Sequence, residues 1–132
     1  MSIVPLIESG PVVMAHALAA LAALGLGLVQ LAQSKGGPRH RVIGYAWSGL
    51  MIGVALTSFW IHDLRVIGPF SPIHILSVGT LVGLALALLA ARRGNIRAHR
   101  HGMLWLFFAA LIGAGAFTLL PGRVMHLVVF GQ

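Results

Sequence analysis

Apolar and polar residues segregate along this chain into long blocks. The first block, Val12 to Ala32, is interrupted only by His16 and Gln30. The second runs from Val42 to Ile61 and closes at His62-Asp63. The third is Ile73 to Ala91, and the fourth is Gly102 to Leu120, closed by Pro121-Gly122. A helix that crosses a bilayer needs about 20 mostly apolar residues. Each block therefore predicts one crossing, with helices over about 11–33, 41–62, 72–91 and 100–120. Pro11 suits a first helical turn, and Ser71-Pro72 reads as an N-cap followed by a first-turn proline. No Lys or Arg precedes Lys35, so the cationic start of a signal peptide is missing and the first block reads as a retained helix. A last apolar patch, Val124 to Phe130, is too short to span. It is expected at the interface or as the end of the fourth helix.

The connections are short, which makes neighbouring helices antiparallel. The expected fold is all-α: one domain, residues 1–132, built as an up-down-up-down four-helix bundle in the membrane. Gly49 with Gly53, and Gly79 with Gly83, are small-residue pairs that let helices approach closely.

Composition strengthens this picture. Hydrophobic residues make up 58% of the 132 and charged residues 8%, too few to coat a soluble surface. The net charge of +7 would ordinarily invite a nucleic-acid reading. Here the cations sit at the ends of apolar blocks, so no nucleic acid is expected. Cysteine is absent, which removes disulfides and thiolate metal sites. Lys35, Arg39, Arg41, Arg92, Arg93, Arg97 and Arg100 follow blocks one and three, with no acid among them. Arg65, Arg123, Glu8 and Asp63 fall on the other side. That asymmetry places the basic loops in the cytoplasm and both termini outside. Tyr45, Trp47, Trp105 and Trp60 are expected in the aromatic belts at the two interfaces.

Histidines mark an internal repeat. They fall at His16, His40 and His62, then at His74, His99 and His126, with His101 extra. The gaps are 24 and 22 residues, then 25 and 27, about one crossing each at 1.5 Å per residue. The segment His40-Arg41 to Trp47 lines up with His99-Arg100 to Trp105, one residue shorter in the second copy. Two parallel hairpins related by an axis along the membrane normal are expected. The repeat puts His16, His62, His74 and His126 in an outer layer and His40, His99 and His101 in an inner one. A lone histidine at an interface is as often wetted or bonded to a carbonyl as functional, and His101 breaks the symmetry. Four histidines reaching one layer from four helices is the convergence that a metal or haem requires.

A b-type haem takes two imidazoles from facing helices. The repeat supplies His16 with His74 outside and His40 with His99 inside. Arg65 and Arg123 outside, or Arg41, Arg97 and Arg100 inside, are the arginines for propionates. Haem b at both faces would make a transmembrane electron carrier. A second reading is zinc or copper at the outer face, held by His62, His74, His126 and Asp63, with Glu8, Met14 and Met125 as further ligands. A third is an accessory bundle that packs on a larger membrane complex, or on a second copy of itself, and meets lipid head groups with its basic loops. No hydrolytic or nucleotide motif is present, so any redox role is that of a cytochrome-like electron carrier.

His16, the segment His40-Arg41-x-x-Gly44, the run Gly68-Pro69-Phe70-Ser71-Pro72-Ile73-His74, Arg93-Gly94 ahead of His99-Arg100, and Phe117-x-x-x-Pro121-Gly122-Arg123 form a combination that covers nearly the whole chain. In these residues the sequence resembles the bacterial predicted membrane proteins of domain-of-unknown-function family 2306. The resemblance implies a four-helix protein of the bacterial inner membrane and implies no activity. The histidine layout is also similar to that of small diheme b-type cytochromes, a likeness of architecture alone.

The charge asymmetry has a direct test. Reporter fusions after Lys35 and Arg93 are expected to read as cytoplasmic, and fusions after Asp63 and Gln132 as periplasmic. The reverse pattern at any two sites overturns the orientation.

Overall fold

The computed structural model describes residues 1–60 and 72–131. These residues are helical throughout, apart from turns. Six helices follow in order: α1 Val4–Glu8, α2 Pro11–Ala32, α3 Pro38–Ser58, α4 Pro72–Arg92, α5 Ile96–Phe117 and α6 Val124–Phe130. Pro11, Pro38 and Pro72 each occupy the first position of a helix, where the missing N–H costs nothing. Pro38 thus starts α3 ahead of the apolar block that suggests its position.

Local chemistry ends the helices at the basic end. The Lys35 ammonium donates to the carbonyl oxygens of Gln30 at 2.6 Å, Leu31 at 3.1 Å and Gln33 at 2.6 Å. It thereby satisfies carbonyls left open at the end of α2. At the end of α4, Gly94 takes φ +77°, a left-handed value that suits glycine. The Asn95 N–H then reaches the Ala90 carbonyl at 2.9 Å and the Gly94 N–H reaches Ala91 at 3.1 Å, the paired bonds of a Schellman turn. Asn95 immediately caps the next helix, its side chain accepting from the Ala98 N–H at 3.1 Å. One three-residue turn therefore closes α4 and opens α5.

The closest pairings are α2 with α3 and α4 with α5; α3 also packs on α4, and α5 returns to α2. Three helices are long and apolar enough to cross a membrane: α2, α4 from His74 onward, and α5. α3 is of similar length but carries Arg39, His40 and Arg41 in its first turn.

The core is Ala23, Trp47, Met51, Leu84, Leu106, Phe107 and Leu111. Gly27 is its tightest point. A Cβ there would collide with the Phe107 ring, 2.7 Å from Cδ2, and lie 3.1 Å from the Trp47 indole nitrogen. That nitrogen donates to the Ala23 carbonyl at 3.0 Å. Trp47 is 5% exposed, whereas Trp105 is 72% exposed. Trp47 is thus a core residue and no part of an aromatic belt. Its counterpart in the second half is buried Leu106, seven positions after His99 as Trp47 is after His40.

The small-residue pairs also turn out otherwise. Nothing lies within 4 Å of a Cβ placed at Gly49, Gly53 or Gly79, and only Gly83 meets a neighbour, Leu106 Cδ2 at 3.5 Å. The Gly49–Gly53 pair therefore does no packing among the described residues. The middle of α5, Leu106–Gly113, has π-helical geometry, a wider winding that collects at functional or strained places. The tail patch does not finish α5. The chain turns at Pro121-Gly122 and forms α6, which packs on α1, with the Ser2 N–H donating to the Val128 carbonyl at 3.0 Å.

Between apolar helices in lipid, close packing and hydrogen bonds supply most of the attraction. Gly27→Ala should therefore cost about 1–3 kcal/mol through overpacking, read as a lower unfolding midpoint in detergent. Gly49→Ala, into open space, should leave the midpoint unchanged or raise it. Equal midpoints for the two variants would show that the contact at Gly27 relaxes freely.

Candidate functional site

The histidines are set by their hydrogen bonds, and those bonds differ between the two layers. At the end expected to be outer, the Thr57 hydroxyl donates to the Gly53 carbonyl at 2.7 Å. Its oxygen is then left to accept, and the His16 Nδ1–H donates to it at 2.8 Å. The His74 Nε2–H reaches the Phe59 carbonyl at 3.4 Å, and its ring stacks on the Phe59 ring with centroids 5.5 Å apart. Between these contacts the Ser58 and Ser77 hydroxyls bond to each other. Both outer histidines therefore dock on the end of α3, each on its own residue. His16 thus has the Thr57 hydroxyl as a partner, and His74 the Phe59 carbonyl and ring.

His126 ties α6 back to α5: its Nδ1–H donates to the Leu119 carbonyl at 2.6 Å, and its ring lies 4.8 Å from that of Phe130. Arg123 places its guanidinium 5.0 Å over the Phe117 ring, a cation–π contact. His62, Asp63 and Arg65 lie outside the described residues. Among the described residues no three His, Cys, Asp or Glu side chains gather in a group that could hold a metal ion.

The inner pair does meet. His40, in the first turn of α3, and His99, in α5, bring their ring centroids to 6.4 Å with planes 82° apart. Each ring has a hydrogen-bond partner at Nδ1. The Gln30 amide nitrogen donates to the His40 carbonyl at 2.8 Å and to His40 Nδ1 at 2.9 Å. A carbonyl can only accept, which fixes the end of the Gln30 amide that faces it. The Gln33 amide in turn donates to Gln30 Oε1, and its own Oε1 is buried without a hydrogen-bond partner among the described residues. Across the gap, the His99 Nδ1–H donates to the Ala87 carbonyl at 2.9 Å. The Ala98 cap and the Schellman turn place this residue one turn into α5, beside α4.

These partners dictate opposite tautomers. Neutral His40, accepting at Nδ1, carries its proton on Nε2. Neutral His99, donating from Nδ1, presents an unprotonated Nε2. A ring held by a carbonyl at Nδ1 is the usual state of a ligating histidine; His99 has that arrangement and His40 does not. His40 lies ahead of the apolar block that starts at Val42. Burial, followed by the nearby His99 and Lys35, pushes its pKa below the ordinary histidine value. The folded chain thus disfavours protonated His40. This contribution to stability is present above pH about 6.5, the unfolded value, and is lost as pH falls below it.

Sequence spacing singles out His40 and His99 but not Gln30, which shows only as a break in an apolar block. The signal for it is two glutamines three residues apart, Gln30 and Gln33, at the end of an otherwise apolar helix. Thr57, Phe59 and Ala87 carry no sequence signal, because two of the three act through their backbone carbonyls.

A family model described as a predicted membrane protein, DUF2306, matches residues 13–131. No curated protein and no solved structure matches the chain.

The tautomers can be read directly. In haem-free protein labelled with ¹⁵N-histidine at pH 8, one ring should resonate with Nδ1 unprotonated and respond to Gln30→Leu; this is His40. The His99 signal, assigned by His99→Asn, should show Nε2 unprotonated and ignore Gln30→Leu. Identical tautomers for the two rings would refute the assignment.

Proposed function

We propose, for a chain that belongs to the DUF2306 family of predicted membrane proteins, that it crosses the membrane four times and carries electrons through one b-type haem held between His40 and His99. Haem supplies a one-electron couple; the chain supplies the ligands, their spacing and the charge around them. The observation that carries this reading is the meeting of the two imidazoles from α3 and α5, the second and fourth long helices. An iron between two histidines needs two bonds of about 2 Å. With both Nε2 atoms turned onto the line of centres, those bonds and the two ring radii would together span about the 6.4 Å between centroids.

The residues fit the group in most respects. His99 has its Nδ1–H on a carbonyl, which would orient its Nε2 to hold the iron. Arg41, Arg97 and Arg100 lie within three residues of the two histidines in sequence and are long enough to meet propionates. His40 departs from the pattern, because Gln30 donates to its Nδ1. Ligation through Nε2 therefore requires the His40 ring or the Gln30 amide to turn. The outer pair supports haem less well, since both of its rings are already engaged by α3. A zinc or copper site wants three or four ligands, and among the described residues this pair gathers no third.

The visible spectrum of the purified, reduced protein tests the reading. A sharp α-band is expected, lost in His99→Ala and in His40→Ala and kept in His16→Ala and His74→Ala. Protein that stays colourless after expression with ample haem overturns the proposal. So does a band indifferent to His99→Ala.

A further inference from the structure

We infer that the basic end of the protein binds the phosphates of anionic phospholipids, through Arg39 and Arg41 of α3 and Arg97 and Arg100 of α5. The inference concerns the haem-free chain and does not rest on the haem reading: Arg41, Arg97 and Arg100 are the arginines offered there to propionates, and without haem they keep their charge for lipid.

The charge there is uncompensated. No Asp or Glu occurs from Ser9 to Trp60, or from Pro72 to Gly131, so neither of these helices, nor the turns that lead into them, offers the arginines a carboxylate. Lys35 has spent its ammonium on the carbonyls at the end of α2. All four arginines are exposed. They come as two pairs, one flanking His40 and the other flanking His99, so each half of the chain contributes two.

The height of the arginines is fixed by aromatic residues. Tyr45 is 57% exposed and Trp105 72% exposed on the same two helices. Exposed Tyr and Trp on a membrane helix settle at the boundary between acyl chains and head groups. At 1.5 Å per residue, Arg41 stands about 6 Å beyond Tyr45, and Arg100 about 7.5 Å beyond Trp105. That is the level of lipid phosphates. A planar guanidinium matches a phosphate with two parallel hydrogen bonds. A zwitterionic lipid brings its own ammonium to this end, whereas phosphatidylglycerol brings a net negative charge, so the arginines select the second.

Brominated lipids, which quench tryptophan on contact, read the site. The full chain carrying Trp60→Phe retains Trp105 as its exposed tryptophan, since Trp47 is buried. It is placed in nanodiscs with brominated phosphatidylglycerol or brominated phosphatidylcholine at equal mole fraction. Phosphatidylglycerol is expected to quench at least about twofold more strongly, from the attraction of each arginine to an anionic lipid. Salt at about 0.5 M should narrow the difference. Arg39→Gln, Arg41→Gln, Arg97→Gln and Arg100→Gln together should abolish it, and Arg123→Gln alone should leave it intact. Equal quenching by the two lipids in the chain with its arginines overturns the inference, as does a preference that survives the fourfold substitution. If the fourfold variant fails to fold, the comparison of the two lipids and its salt dependence decide on their own.

Discussion

The centre of this protein depends on a side chain that is missing. At Gly27 the backbone of α2 is bare, and the Phe107 ring of α5 and the Trp47 indole of α3 close on it together. The indole can then reach the Ala23 carbonyl one turn away, and three helices are locked at one height. In lipid there is little hydrophobic force between helices, so contacts of this kind carry the assembly. The positions of His40 and His99 follow from it. Each lies seven residues before a core residue, Trp47 or Leu106, so whatever fixes the core fixes the height of the imidazoles.

Polar pairing then decides what each imidazole can do. A histidine surrounded by apolar helices must find a partner, and the partner it finds selects the proton it keeps. The outer rings find theirs at the end of α3, which separates their chemistry. The inner rings find theirs on Gln30 and Ala87 and meet each other at near right angles. Similar spacing therefore has unequal results: at one end two imidazole rings meet, and at the other His16 and His74 take different partners.

Much of this was legible from residues alone. Apolar blocks and first-turn prolines locate the long helices, and the one-crossing spacing of histidines locates their heights. Height is not direction, however. Each residue turns a helix by about 100°, so spacing along the chain does not say whether Trp47 faces core or lipid, or whether Gly49 and Gly53 meet a neighbour. Those directions are settled by close packing, as at Gly27. Helices α1 and α6 escape for another reason. They are 5 and 7 residues long, too short for helical propensity alone, and they exist by leaning on each other. The carbonyls of Phe59 and Ala87 are invisible in principle, since any residue type presents one.

The wide winding of α5 has a mechanical meaning. Its π-helical stretch, Leu106–Gly113, includes the core contact at Phe107. Such a stretch holds about one residue more per hydrogen-bonded ring than an α-helix does. One residue of α-helix corresponds to about 100° of rotation. Tightening the stretch to α geometry would thus turn the two parts of α5 against each other, like a shaft with a spare tooth. With the outer part clamped through Leu119 to His126, the turn would fall on the inner part and swing His99 out of line with His40. The alignment of the two imidazoles is in that sense geared to the winding of a helix several turns deep in the protein.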